Sequence, residues 1–108
     1  MAAYQAFSNL TDLLGDLPTD AIISRTLSQT GPLRVILFGF APGQELSEHS
    51  TPMTATLHFL RGHATVTLGD ERHEFGPGAW VQMAPKLPHS IRAHDEPVLM
   101  LLTMVKVD

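Results

Sequence analysis

The feature that most constrains this chain is its punctuation. Beyond Pro18, runs of β-favouring residues at 21–28, 33–40, 54–60, 64–68, 71–75, 79–83, 90–93 and 98–107 alternate with short breakers. The breakers are Gly31-Pro32, Ala41-Pro42-Gly43, Gly69-Asp70, Gly76-Pro77-Gly78 and the stretch from Pro85 to Pro88. Proline, which cannot donate to a sheet ladder, stays out of the run interiors. Many short strands at regular spacing with turn signals between them describe an all-β sandwich or barrel. Within it, Gly69-Asp70 is a two-residue loop with glycine first, as a type II′ hairpin turn requires. On the strand before that turn, Ala64, Val66 and Leu68 alternate with Thr65 and Thr67, giving one apolar and one polar face.

Ahead of the β-rich part, Leu10, Leu13, Leu14 and Leu17 form an i, i+3, i+4, i+7 stripe. Ser8 or Asn9 is available as a cap and Pro18 as a stop, so the pattern predicts a short N-terminal helix. At 108 residues the chain has room for one core, and residues 1–108 are read as a single domain. Its 44% apolar and 17% charged composition is that of a folded protein. A net charge of −4, with scattered basic residues, offers no cationic face for nucleic acid. The longest apolar run, 98–104, is far short of the roughly 20 residues that span a bilayer. Residues 1–10 lack the basic and apolar regions of a secretion signal, so a cytoplasmic location is expected. There is no cysteine, which leaves the six histidines as the natural place to look for chemistry.

From Pro42 to Ile91 the segment PGQELSEHSTPMTATLHFLRGHATVTLGDERHEFGPGAWVQMAPKLPHSI resembles the two motifs of the cupin superfamily. The first motif runs His-x-His, a short spacer, Glu, a longer spacer, Gly; here His49 opens it and Gly62 closes it in register. The second runs Gly, a spacer, Pro-x-Gly, two residues, His; here Gly78 opens it and His89 closes it. The resemblance implies a double-stranded β-helix, a jelly-roll barrel, with the N-terminal helix appended to it. The departures carry equal weight. Thr51 stands where the second histidine belongs and Ala55 where the glutamate belongs, while Ala84 and Lys86 replace the usual proline and glycine.

An intact cupin site holds iron, manganese, nickel or zinc on three histidines and a glutamate. This chain keeps only His49 and His89 of that set, so the resemblance implies either no cofactor or one such divalent ion on these two. If His49 and Ala55 point inward, strand alternation turns Leu57 and Phe59 inward as well and His58 outward, onto an outer or dimer-facing surface. His63, His73 and His94 are read as solvated surface histidines. Met53, Met83, Met100 and Met104 are read as core.

The expected ligand pocket is therefore His49, Thr51, Ala55, Leu57, Phe59 and His89, a small apolar lining suited to a modest apolar or weakly polar molecule. Metal-free binding of such a molecule is the first functional reading. The alternative is a metal-dependent small-molecule enzyme of dioxygenase, isomerase or lyase type. A homodimer is expected too, since small cupins commonly pair and an open barrel leaves strand edges to cover.

Overall fold

The computed structural model describes residues 3–107. Nine strands are present among them: β1 (Ile22–Thr30), β2 (Leu33–Phe40), β3 (Glu45–His49), β4 (Thr54–Arg61), β5 (Ala64–Leu68), β6 (Glu71–Phe75), β7 (Trp80–Met83), β8 (His89–Ala93) and β9 (Val98–Val105). They form two antiparallel sheets, a five-stranded one in the order β1-β2-β9-β4-β7 and a four-stranded one in the order β3-β8-β5-β6. The expected all-β jelly roll is thus what the chain adopts.

Alternation builds the core. Along β4, Ala55, Leu57 and Phe59 are at most 1% exposed, while Thr54, Thr56 and His58 between them are half-buried on the other face. β9 delivers Met104, Leu102 and Met100 opposite those three inward residues. The smaller sheet answers with Val66 and Ile91, 0% and 1% exposed. Interleaving the two inner faces removes this apolar surface from water, at about 1.5–3 kcal/mol for each large side chain fully buried. Met83, Met100 and Met104 are core and Met53 packs against it, as expected.

The β5–β6 hairpin forms as the sequence predicts. Leu68 pairs with Glu71 across the turn, and Gly69 takes φ +61° while Asp70 stays out of the left-handed region. Gly62, which closes the first motif, has φ +81°, and a Cβ there would run into the backbone carbonyl of Pro97.

Two expectations about elements are corrected. The N-terminal helix is a single 3-10 turn, Leu10–Asp12, capped by the Asn9 side chain, which accepts from the Thr11 N–H at 3.0 Å. Gly15 at φ +63° ends it, and fewer than two turns lie between cap and stop, too few to repay helix nucleation. The leucines are nonetheless used. Leu14 and Leu17 lie so close over Gly39 that a Cβ there would approach Leu17 Cδ2 to 2.6 Å, so the segment is held as a strap on the outer face of the larger sheet. The second correction is β3, which the β-run reading left out. Its residues are mostly polar and exposed, and it is an edge strand paired irregularly with β8, so no apolar alternation announces it. No helix among the described residues is long and apolar enough to cross a membrane.

Candidate functional site

The two motif histidines meet at one end of the smaller sheet. His49 ends β3 and His89 begins β8, and the antiparallel register sets them directly opposite each other. Their ring centroids lie 4.3 Å apart with the planes tilted by 58°. Each ring is fixed by a backbone carbonyl two residues earlier in the chain. His49 Nδ1 donates to the Ser47 oxygen at 2.8 Å, and His89 Nδ1 donates to the Leu87 oxygen at 2.9 Å. A carbonyl only accepts, so these contacts place the proton on Nδ1 in both rings and leave both Nε2 lone pairs free in the neutral form.

The two environments differ. His49 is exposed, whereas His89 is only 4% exposed, the single polar residue among the described residues buried to that degree. Burial disfavours the imidazolium of His89 and pulls its pKa below the ordinary value of 6.5. The Leu87 carbonyl opposes that shift, and the nearby His49 adds to it. Among the described residues no carboxylate is hydrogen-bonded to either ring, so neither is shown with the orienting acid that general-base histidines commonly use.

The loop that delivers His89 carries a telling residue. Lys86, where the second motif usually has glycine, adopts φ +70°, the left-handed conformation that glycine takes without penalty. Its N–H donates to the Thr51 carbonyl at 2.7 Å, tying this loop to the one after β3. The Thr51 hydroxyl accepts from the Met53 N–H at 3.3 Å, a local turn contact. Thr51 therefore serves loop structure on the evidence of its own hydrogen bonds. Ala55, Leu57 and Phe59 lie in the core cluster with Met83 and Met104. The expected pocket set is thus divided between a histidine pair at one end, a structural loop threonine and a packed interior wall.

These donors do not fit the metal that the fold family implies. Structural and catalytic transition-metal sites draw three or four protein ligands, and here only two imidazoles converge. No group of three or more His, Cys, Asp or Glu side chains with ligating geometry occurs among the described residues. Alanine at 55 has no donor atom, and the Thr51 hydroxyl is a poor ligand beside imidazole or carboxylate.

The other histidines separate as alternation requires, with one exception. His58 pairs with Trp80 and Leu101 on the outer face of the larger sheet. His63 and His94 are exposed, each beside a carboxylate: His63 Nδ1 is 2.9 Å from Glu96 Oε1, and His94 Nε2 is 3.1 Å from Glu74 Oε2. His73, expected to be a solvated surface residue, is instead half-buried and stacks on Phe75 at 5.4 Å and 18°. It shares the Val66 side of the sheet, so its ring turns toward the inner face. Sequence reasoning passed over one cluster altogether: Thr65, Glu74 and His94 are joined by hydrogen bonds on the outer face of the smaller sheet. The signal was present in the polar alternation of β5 and β6, but which strand would lie beside them could not be read from it.

Comparison with known proteins agrees with this geometry. The chain is similar to a conserved protein of unknown function from Streptococcus pyogenes, at 34% identity over 84% of this chain and 79% of that one, with a TM-score of 0.77. It is similar in fold to a cupin superfamily protein from Desulfitobacterium hafniense, at 22% identity, 87% and 85% coverage and a TM-score of 0.81. The same holds for an RmlC-like cupin from Shewanella frigidimarina, at 14% identity, 85% and 81% coverage and a TM-score of 0.76. No curated protein matches the chain. The cupin domain model matches residues 36–105, the stretch that contains both motif histidines and every strand of the smaller sheet, and on that ground the chain belongs to the cupin family.

Proposed function

We propose that this cupin binds a small apolar or weakly polar molecule at the end of the barrel where His49 and His89 meet, without a metal. The observation that carries the reading is the histidine pair itself. Both Nδ1 protons are committed to backbone carbonyls, so two rings with centroids 4.3 Å apart each keep an Nε2 acceptor, one ring buried and the other exposed. Two neighbouring acceptors at the edge of an apolar core suit a ligand with a hydroxyl or amide donor on a mostly apolar body. Leu68, the cross-strand partner of His89, borders the pair, and the packed core of Ala55, Leu57 and Phe59 lies on the same inner side of the barrel.

Elemental analysis of untagged protein tests this reading against the metal-dependent enzyme. Metal near zero, even after incubation with iron, manganese, nickel or zinc, supports it; near-stoichiometric metal overturns it. A thermal-shift screen of small alcohols, phenols and amides against wild type and His89→Ala then identifies the ligand class, with the shift expected in wild type alone.

The reading includes a cytoplasmic homodimer. Supporting the pairing, the outer face of the larger sheet exposes Trp80 at 59%, Val105 at 41% and Leu33 at 37%. Beside them runs an apolar groove bordered by Phe7, Leu27 and Leu101. Light scattering that gives a monomer mass at every concentration would remove the dimer from the proposal.

A further inference from the structure

The outer face of the smaller sheet carries a second constellation, independent of the histidine pair. In the row at Thr65, the register reads Arg92 on β8, Thr65 on β5 and Glu74 on β6; in the next row it reads Ser90, Thr67 and Arg72. Val66 and Ile91 point into the core, so these neighbours point the other way, and His89 lies on the far side of the sheet. Arg92 and Glu74 are two strand spacings apart, about 10 Å between backbones, with Thr65 between them. Together with Arg72, His94 and Asp95 they line a cleft of about 300 Å³.

The acidic side of the cleft is built. Thr65 Oγ1 lies 2.7 and 2.9 Å from the two Glu74 carboxylate oxygens, and His94 Nε2 lies 2.8 Å from Thr65 Oγ1 and 3.1 Å from Glu74 Oε2. The carboxylate accepts from the threonine hydroxyl, and the imidazole donates through Nε2–H. Thr65 donation, assisted by the charge of His94 and Arg72, holds the Glu74 carboxyl below its ordinary range against a smaller desolvation effect. The guanidiniums flank it, Arg92 across β5 and Arg72 beside Glu74 on β6, and among the described residues neither forms an ion pair with any carboxylate. The lining thus holds two guanidiniums without ion-pair partners together with two carboxylates, one of them fixed in place. A polyanion would meet Glu74 and Asp95, and a simple cation would meet both arginines. A molecule carrying both charges satisfies both sides.

We propose that this cleft binds a small zwitterion of the amino-acid type, its carboxylate held by Arg92 and Arg72 and its ammonium by Glu74. Guanidinium forks match carboxylate geometry, and charge-assisted hydrogen bonds are the stronger class.

The test is a titration of the isotopically labelled full chain followed by amide NMR, with alanine, serine and β-alanine as separate probes. Sodium acetate and ethylamine hydrochloride are the single-charge controls. Saturable shifts centred on residues 65, 72, 74, 92 and 94 are expected with an amino acid. The dissociation constant should rise about tenfold or more in Arg92→Ala and in Glu74→Gln, and stay unchanged in Asp16→Asn, an exposed position outside the cleft. Acetate and ethylamine should each bind about tenfold or more weakly than the amino acid. Absence of a saturable shift with all three probes overturns the proposal, as does acetate binding as tightly as the amino acid, or Arg92→Ala binding as well as wild type.

Discussion

The molecule holds histidine in two contrasting settings on opposite faces of one sheet. On the inner face, His49 and His89 are fixed by main-chain carbonyls, His89 buried and His49 exposed, and among the described residues neither ring is hydrogen-bonded to a carboxylate. Outside, His94 is exposed and shares a hydrogen-bonded cluster with a threonine and a carboxylate. The contrast shows that the chemistry of the barrel depends on what surrounds an imidazole more than on its presence. The inner pair offers hydrogen-bond acceptors, one in a buried setting and one in water, and the outer one balances charge in water.

The severest way to break the contrast is to put a carboxylate inside. Ala55→Glu would bury an ionisable group at a position 1% exposed and should cost about 3 kcal/mol or more. Adding Thr51→His supplies the second missing ligand of the first motif. Zinc, manganese or nickel should then restore stability by about 2.7 kcal/mol at a hundredfold excess over the dissociation constant. Melting curves of the double variant with and without each ion measure this. A variant that folds but shows no metal-dependent rise beyond wild type means that positions 51 and 55 are not the vacated ligand positions.

Lys86→Gly tests how the inner pair is delivered. Relief of the left-handed lysine should raise stability by about 1 kcal/mol, a few degrees in melting temperature for a domain of this size. No gain would mean that the Lys86 side chain contributes as much as its backbone conformation costs.

Acid should separate the two settings by pH window. In metal-free protein His89 has a lowered folded-state pKa, so the unfolded chain binds more protons once the pH falls below 6.5. Stability is full above that value and declines as pH drops toward the folded pKa. Glu74 also has a lowered pKa, and its contribution is held above 4.5 and lost as pH falls through its folded value. Melting temperature followed across the acidic range should show the first decline abolished in His89→Gln and the second in Glu74→Gln. A first decline that persists in His89→Gln would assign it to another histidine. The smallest change is expected for His94→Ala. It removes an exposed donor from a solvated cluster and should leave melting almost unmoved, since surface ion pairs contribute little.

Much of this was legible beforehand. Residues 33–40, 64–68 and 71–75 were read with the bounds the strands have, because turn chemistry and alternation are local properties of the chain. The convergence of His49 and His89 was legible too, through motif spacing. β3 was not, because an exposed edge strand buries no stripe to betray itself. The leucine stripe misled because the periodicity that lays Leu14 and Leu17 on one face serves a strap over Gly39 as well as it serves a helix.

By itself the sequence determined the all-β barrel, its hairpin and the two histidines, since each rests on short-range patterns written into consecutive residues. Only the tertiary structure decided that β8 runs between β3 and β5. That single placement sets His89 against His49 on one face and Arg92 against Thr65 on the other. Strand neighbours far apart in sequence are chosen by which faces bury the most apolar surface together, and that is a property of the whole packed chain.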